Sequence, residues 1–141
     1  MYINVCMYVY REDALRLKSQ IHFMKAVSSE LEKERYFTTC DCMLHARAEG
    51  ETFGLSIAEF SVRNKPVITK RSGHRLYADM HGFILKDKAF YYEDKVSLMR
   101  IIEGFLRDGI PKRNFTAYEE FSPDKVMETF KKVFLNPLFR S

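Results

Sequence analysis

Short apolar runs set between charged stretches give this chain its pattern, and the period of each run indicates what it builds. Residues 2–9 (YINVCMYV) are apolar almost throughout and predict a buried strand; residues 20–24 (QIHFM) predict a second, shorter one. Ser29 with Glu32 three residues on is a capping-box pattern, opening a charged helix that runs to about Thr39. CMLHA (42–46) predicts another strand. The loop ARAEGET then leads into an apolar helix from about Phe53 to Arg63, which Asn64 and Pro66 stop. PVIT (66–69) is β-branched and reads as a strand. A turn containing Gly73, a short helix near Leu76–Met80 and a strand at GFIL (82–85) follow. From Lys95 to Arg107 a helix carries Leu98, Ile101, Ile102 and Phe105 on one stripe, closed by Gly109. A last helix starts at Ser122 with Pro123 in its first position. Its stripe of Val126, Met127, Phe130, Val133 and Phe134 is core or interface.

Strands alternating with helices over short connections imply right-handed βαβ units and a mainly parallel sheet. The expected fold is α/β, a Rossmann-like parallel sheet flanked by helices, and 141 residues suit a single domain. A 46% hydrophobic content with 12 Phe and 8 Tyr supplies a core and excludes disorder as a class. No run approaches the roughly 18–20 apolar residues of a membrane span. The opening MYINVCMYVYRED lacks a basic region and a small-residue cleavage site, so it reads as a strand and not as a secretion signal.

Charge narrows the picture less. Lys plus Arg is 23 against 19 for Asp plus Glu, with the signs interspersed, whereas a nucleic-acid binder clusters its cations. The nearest cluster, Lys70, Arg71, His74 and Arg75, is short and local. Cys6, Cys40 and Cys42 lack the paired spacing of a zinc site, and they read as reduced structural cysteines of a cytoplasmic protein with no metal.

In parallel sheets ligands bind outside the carboxyl ends of the strands, which directs attention to the loops after Ala46 and Thr69. In the first, Glu51 and Glu59 stand eight apart, with Thr52, Phe53, Gly54 and Leu55 at the strand-to-helix junction. The first amides of a helix have no intrahelical partner, its dipole favours an anion, and Gly54 lets a ligand approach the backbone. Leu55, Ala58 and Val62 form one apolar stripe, extended by Ile57 and Phe60, so this helix is expected to be largely buried. A charge at Glu59 then needs a cleft, a cation or a hydroxyl-rich ligand; the local alternative is an ion pair with Arg63. For Glu51 the alternative is a helix-start carboxylate held by the dipole. His45 either lines the site or is a core imidazole, and Arg47 either meets phosphate or base or is a solvated charge. Arg71, His74 and Arg75 at the second loop stand between the same two readings.

The segment EGETFGLSIAE followed by NKPVIT resembles the donor-binding segment of retaining GT-B glycosyltransferases of the family-4 (group-1) type, with the E-x7-E glutamates, FGL and PVI in register. The likeness is strong over residues 40–69 and collinear, though weaker, from about 20 to 107. It implies half of a GT-B fold: a nucleotide-sugar-binding domain over 1–141 that lacks the N-terminal acceptor domain. The implied function is metal-independent transfer of a hexosyl group from a nucleotide diphosphate sugar to an acceptor hydroxyl, with no cofactor beyond that substrate. Glu51 would contact donor sugar hydroxyls as the catalytic-site carboxylate. Backbone around Thr52, Phe53, Gly54 and Leu55 would face sugar and diphosphate, and Glu59 would take the ribose hydroxyls. His45 and Arg47 complete the donor set. The family's Arg/Lys pair for the diphosphate has Arg11, Arg16 and Lys18 as its available counterparts here. Activity would require a second chain, a missing domain or self-association to complete the cleft. The other reading is a non-catalytic nucleotide(-sugar)-binding or decayed half-domain acting as an interaction module.

Overall fold

Four short strands build one parallel sheet in the order β1-β2-β3-β4: β1 (Val5–Met7), β2 (Cys42–His45), β3 (Val67–Thr69) and β4 (Phe90–Tyr91). The structure, a computed structural model, describes residues 5–7, 29–71 and 78–135. The expected strand at 20–24, and with it Arg11, Arg16, Lys18, His74 and Arg75, lie outside those residues. Among the described residues five α-helices connect or follow the strands: α1 (Glu30–Thr39), α2 (Leu55–Ser61), α3 (Met80–Leu85), α4 (Lys95–Asp108) and α5 (Pro123–Phe130), the last running on as a π-helical turn over Lys131–Leu135. The molecule is thus a mixed α/β structure with a parallel sheet flanked by helices.

Register decides where the core lies. Met43 sits beside Val67 and Leu44 beside Ile68, so alternation sends Met43 and Val67 to one face and Cys42 and Ile68 to the other. Phe37 of α1, Ile57 and Phe60 of α2 and Leu85 of α3 pack on the first face. Phe105 of α4, with Leu98, Ile101 and Ile102, packs on the second. Because both faces are covered, β2 and β3 read as continuous apolar runs without alternation. Ser61, fully buried, donates to the Phe115 carbonyl and accepts from the Ala117 amide (3.0 and 2.9 Å). That tie brings Tyr118 to Phe53, whose carbonyl accepts the Tyr118 hydroxyl at 2.6 Å.

Several local expectations are corrected. GFIL is helical, within α3, and the next strand is Phe90–Tyr91. Ser29 is the N-cap of α1, yet its side chain makes no capping bond. The capping box forms instead at Asp94 and Ser97, which open α4. The buried face of α2 is Ile57, Phe60 and Ser61, while Leu55 and Val62 are exposed, so its apolar stripe is rotated from the one expected. Cys40 is disulfide-bonded, against the expectation of reduced cysteines throughout. Cys42 is a buried free thiol, pushed up to about 12 by burial and, secondarily, by Asp41, which leaves it inert. Val126, Met127, Phe130, Val133 and Phe134 are all exposed, so of core and interface the α5 stripe is not core. No helix among the described residues is long and apolar enough to cross a membrane.

Candidate functional site

The carboxyl ends of β2 and β3 carry His45 and Thr69 side by side in register. His45 is buried, and its Nδ1 lies 2.9 Å from Thr69 Oγ1 while Nε2 lies 3.4 Å from Glu51 Oε1. A carboxylate only accepts, so Nε2 carries the proton and Nδ1 takes the Thr69 hydroxyl hydrogen. Burial lowers the His45 pKa, with the Glu51 hydrogen bond opposing it and the neighbouring His81 adding to it, which favours the neutral ring. Arg47 Nη1 donates to the same Glu51 oxygen at 3.1 Å. Among the described residues both bonds to Glu51 fall on Oε1, which leaves Oε2 as an acceptor for another group.

A second segment closes against this one. The Glu51 amide donates to the Ala78 carbonyl at 2.7 Å, forming an isolated parallel bridge between Glu51 and Asp79. Asp79 accepts from Arg71 Nε at 2.9 Å. His81 is fully buried with its ring centroid 5.3 Å from that of His45. Its Nε2 donates to the Lys70 carbonyl at 3.1 Å, and its buried Nδ1 has no hydrogen-bond partner among the described residues. A buried acceptor in that state is costly and unusual.

The other residues singled out in the sequence divide. Thr52 is exposed and Phe53 is half-buried, fixed edge-on by Tyr118 and Phe121 at 5.2 and 5.0 Å. Gly54 is the N-cap of α2 with φ 81°, a conformation that disfavours side chains, and an added Cβ would come within 3.0 Å of Ile57 Cδ1. The glycine therefore serves the backbone turn. Leu55 is 74% exposed beside it. With α2 only seven residues long, its dipole is short, and the side chains at the sheet edge carry the argument.

Among the described residues no contact draws Glu59 into this cluster. It is partly exposed, and its carboxylate lies 3.8 Å from Lys33 Nζ of α1. Nor does Arg63 pair with it, because that guanidinium binds the Glu34 carboxylate and reaches only the Glu59 carbonyl, at 2.7 Å. Glu59 is thus less buried than expected, and of the partners expected for it, it meets a cation. Thr69, Asp79 and His81 were missed in the sequence; only the register of two strand ends could have pointed to Thr69.

A shallow groove of about 530 Å³ lies at the opposite edge of the sheet, lined by Asp41 and Pro66, which precede β2 and β3, and by Lys65, Lys112, Arg113 and Phe115. Its basic groups are largely committed: Lys65 donates to the Cys40 carbonyl at 2.8 Å, and Arg113 lies over the Phe90 and Phe115 rings at 4.8 and 5.0 Å. Polar side chains converge more closely at the carboxyl edge, where His45, Thr69, Glu51 and Arg47 are joined by hydrogen bonds. Among the described residues no group of three or more His, Cys, Asp or Glu is placed to hold a metal ion. No family model, curated protein or solved structure matches the chain.

Proposed function

We propose that the chain is the nucleotide-sugar-binding half of a GT-B-type hexosyltransferase, a Rossmann-like domain whose carboxyl sheet edge receives a nucleoside diphosphate sugar. The observation that carries this reading is the convergence of His45, Thr69 and Glu51 at two adjacent strand ends, with Glu51 Oε2 left to accept. A carboxylate anchored through one oxygen suits a sugar hydroxyl, an obligate donor to it. Transfer without a metal at the donor site belongs to the same proposal, as does an acceptor side supplied by another domain, a partner chain or a second copy. Cytoplasmic location belongs to it only with Cys40 reduced, because disulfides are rare in that compartment.

A second reading is a non-catalytic nucleotide(-sugar)-binding half-domain, and Glu59, which faces Lys33, does not separate the two. Isothermal titration with UDP, GDP and ADP tests the binding shared by both. Saturable heat with at least one is expected, and no heat with any of them on folded protein overturns both. Donor-sugar hydrolysis by the same preparation then separates the enzyme from the non-catalytic form.

A further inference from the structure

Resting on the nucleoside diphosphate reading, we propose that Arg71 is the cation that takes the ligand's phosphates and that Asp79 is its positioning residue. Arg71 stands two residues past the end of β3, on the edge where His45, Thr69 and Glu51 meet. It engages Asp79 through Nε alone among the described residues, and its side chain is 48% exposed. Four of the five guanidinium N–H bonds, those on Nη1 and Nη2, therefore remain for an acceptor, in the fork that matches a phosphate.

Three features hold that fork in place. Asp79 is 7% exposed, so the anchoring carboxylate is fixed within the fold. The guanidinium carbon lies 5.3 Å from the Phe83 ring centroid and 5.8 Å from that of Tyr91, which restrains its plane. At residue 82 a Cβ would come within 2.9 Å of Asp79 Oδ1 and 3.2 Å of Arg71 Nε, so glycine there makes the pair possible. The pair is also tied to the sugar-binding carboxylate, since Asp79 bridges to Glu51 backbone to backbone. Arg47 is less suited to hold phosphate, because its Nη1 is bonded to Glu51 and its Nε lies 4.0 Å from Glu49. A cation fixed before binding loses less entropy when phosphate arrives.

The test titrates pyrophosphate, a nucleoside diphosphate and the matching phosphate-free nucleoside into wild type, Arg71→Gln and Gly82→Ala. Arg71→Gln is expected to weaken pyrophosphate and nucleoside diphosphate about tenfold or more and to leave the nucleoside unchanged. Gly82→Ala, by displacing the Asp79–Arg71 pair, shifts the same two ligands in the same direction. Should Arg71→Gln fail to fold, Arg71→Lys makes the comparison, because lysine keeps the charge and loses the fork. Equal diphosphate affinity in wild type and variant overturns the role of Arg71 and leaves the nucleotide reading standing. Arg71-dependent binding of pyrophosphate with no tighter binding of any nucleotide overturns that reading and keeps the role. Binding of neither by folded wild type overturns both.

Discussion

Glu51→Gln is expected to weaken binding of the donor sugar nucleotide by about 10- to 150-fold, with the bare nucleoside diphosphate little affected. A hydrogen bond to a charged group contributes about 1.5–3 kcal/mol, which converts to that range. The substitution keeps shape and an acceptor oxygen facing His45 Nε2, so the strand-end contacts survive. What is lost is the charge on Oε2 and the Arg47 ion pair, at a side chain 20% exposed. Selective loss of the sugar contribution is the signature sought in calorimetry with paired ligands. Equal losses for the sugar nucleotide and the bare diphosphate would instead place Glu51 beside the phosphates.

Phe60→Ala is expected to cost about 3–5 kcal/mol of folding stability, a large share of the roughly 5–15 kcal/mol typical of a domain. Phe60 is fully buried, meets Phe37 edge-on at 5.0 Å and belongs to the cluster of Met43, Ile57, Val67 and Leu85. Urea unfolding followed by circular dichroism reads the change as a lower midpoint at unchanged slope. Leu55→Ala on the same helix is the control: 74% exposed, it should shift stability by less than about 0.5 kcal/mol. A larger loss at Leu55 than at Phe60 would mean that α2 presents the other face to the sheet.

How far the sequence reveals this molecule depends on the range of the interactions involved. Strands β2 and β3 and helix α4 are legible because their signals are local: a continuous apolar run for a doubly covered strand, and a stripe ending at Gly109 for the helix. GFIL misleads because a four-residue apolar run suits a buried strand or a buried helical turn equally. In the fold it forms the last four residues of α3, with Gly82 packed against Asp79 and Arg71. Phe90–Tyr91 is two residues long and leaves no period to detect. On α2, Ser61 takes a core position with bonds to residues 115 and 117, a distant tie with no local signal, while Leu55 and Val62 face outward.

The site divides along the same line. Glu51, His45 and Arg47 lie within seven residues, and a strand end followed by a loop exposes them to sequence reasoning. Their partners Thr69, Asp79 and His81 come from other segments, so only the folded arrangement unites them. Glu59 shows the converse, since its spacing from Glu51 is local information whereas its partner Lys33 is on another helix.

The central claim is that nucleoside diphosphate binds at the carboxyl edge of the sheet. An ¹⁵N-labelled sample titrated with UDP, GDP or ADP and followed by amide chemical shifts tests it most directly. Shifts concentrated at His45, Glu51–Leu55 and Thr69–Arg71 are predicted. Shifts concentrated at Lys65 and Lys112–Phe115, on the opposite edge, would contradict the account.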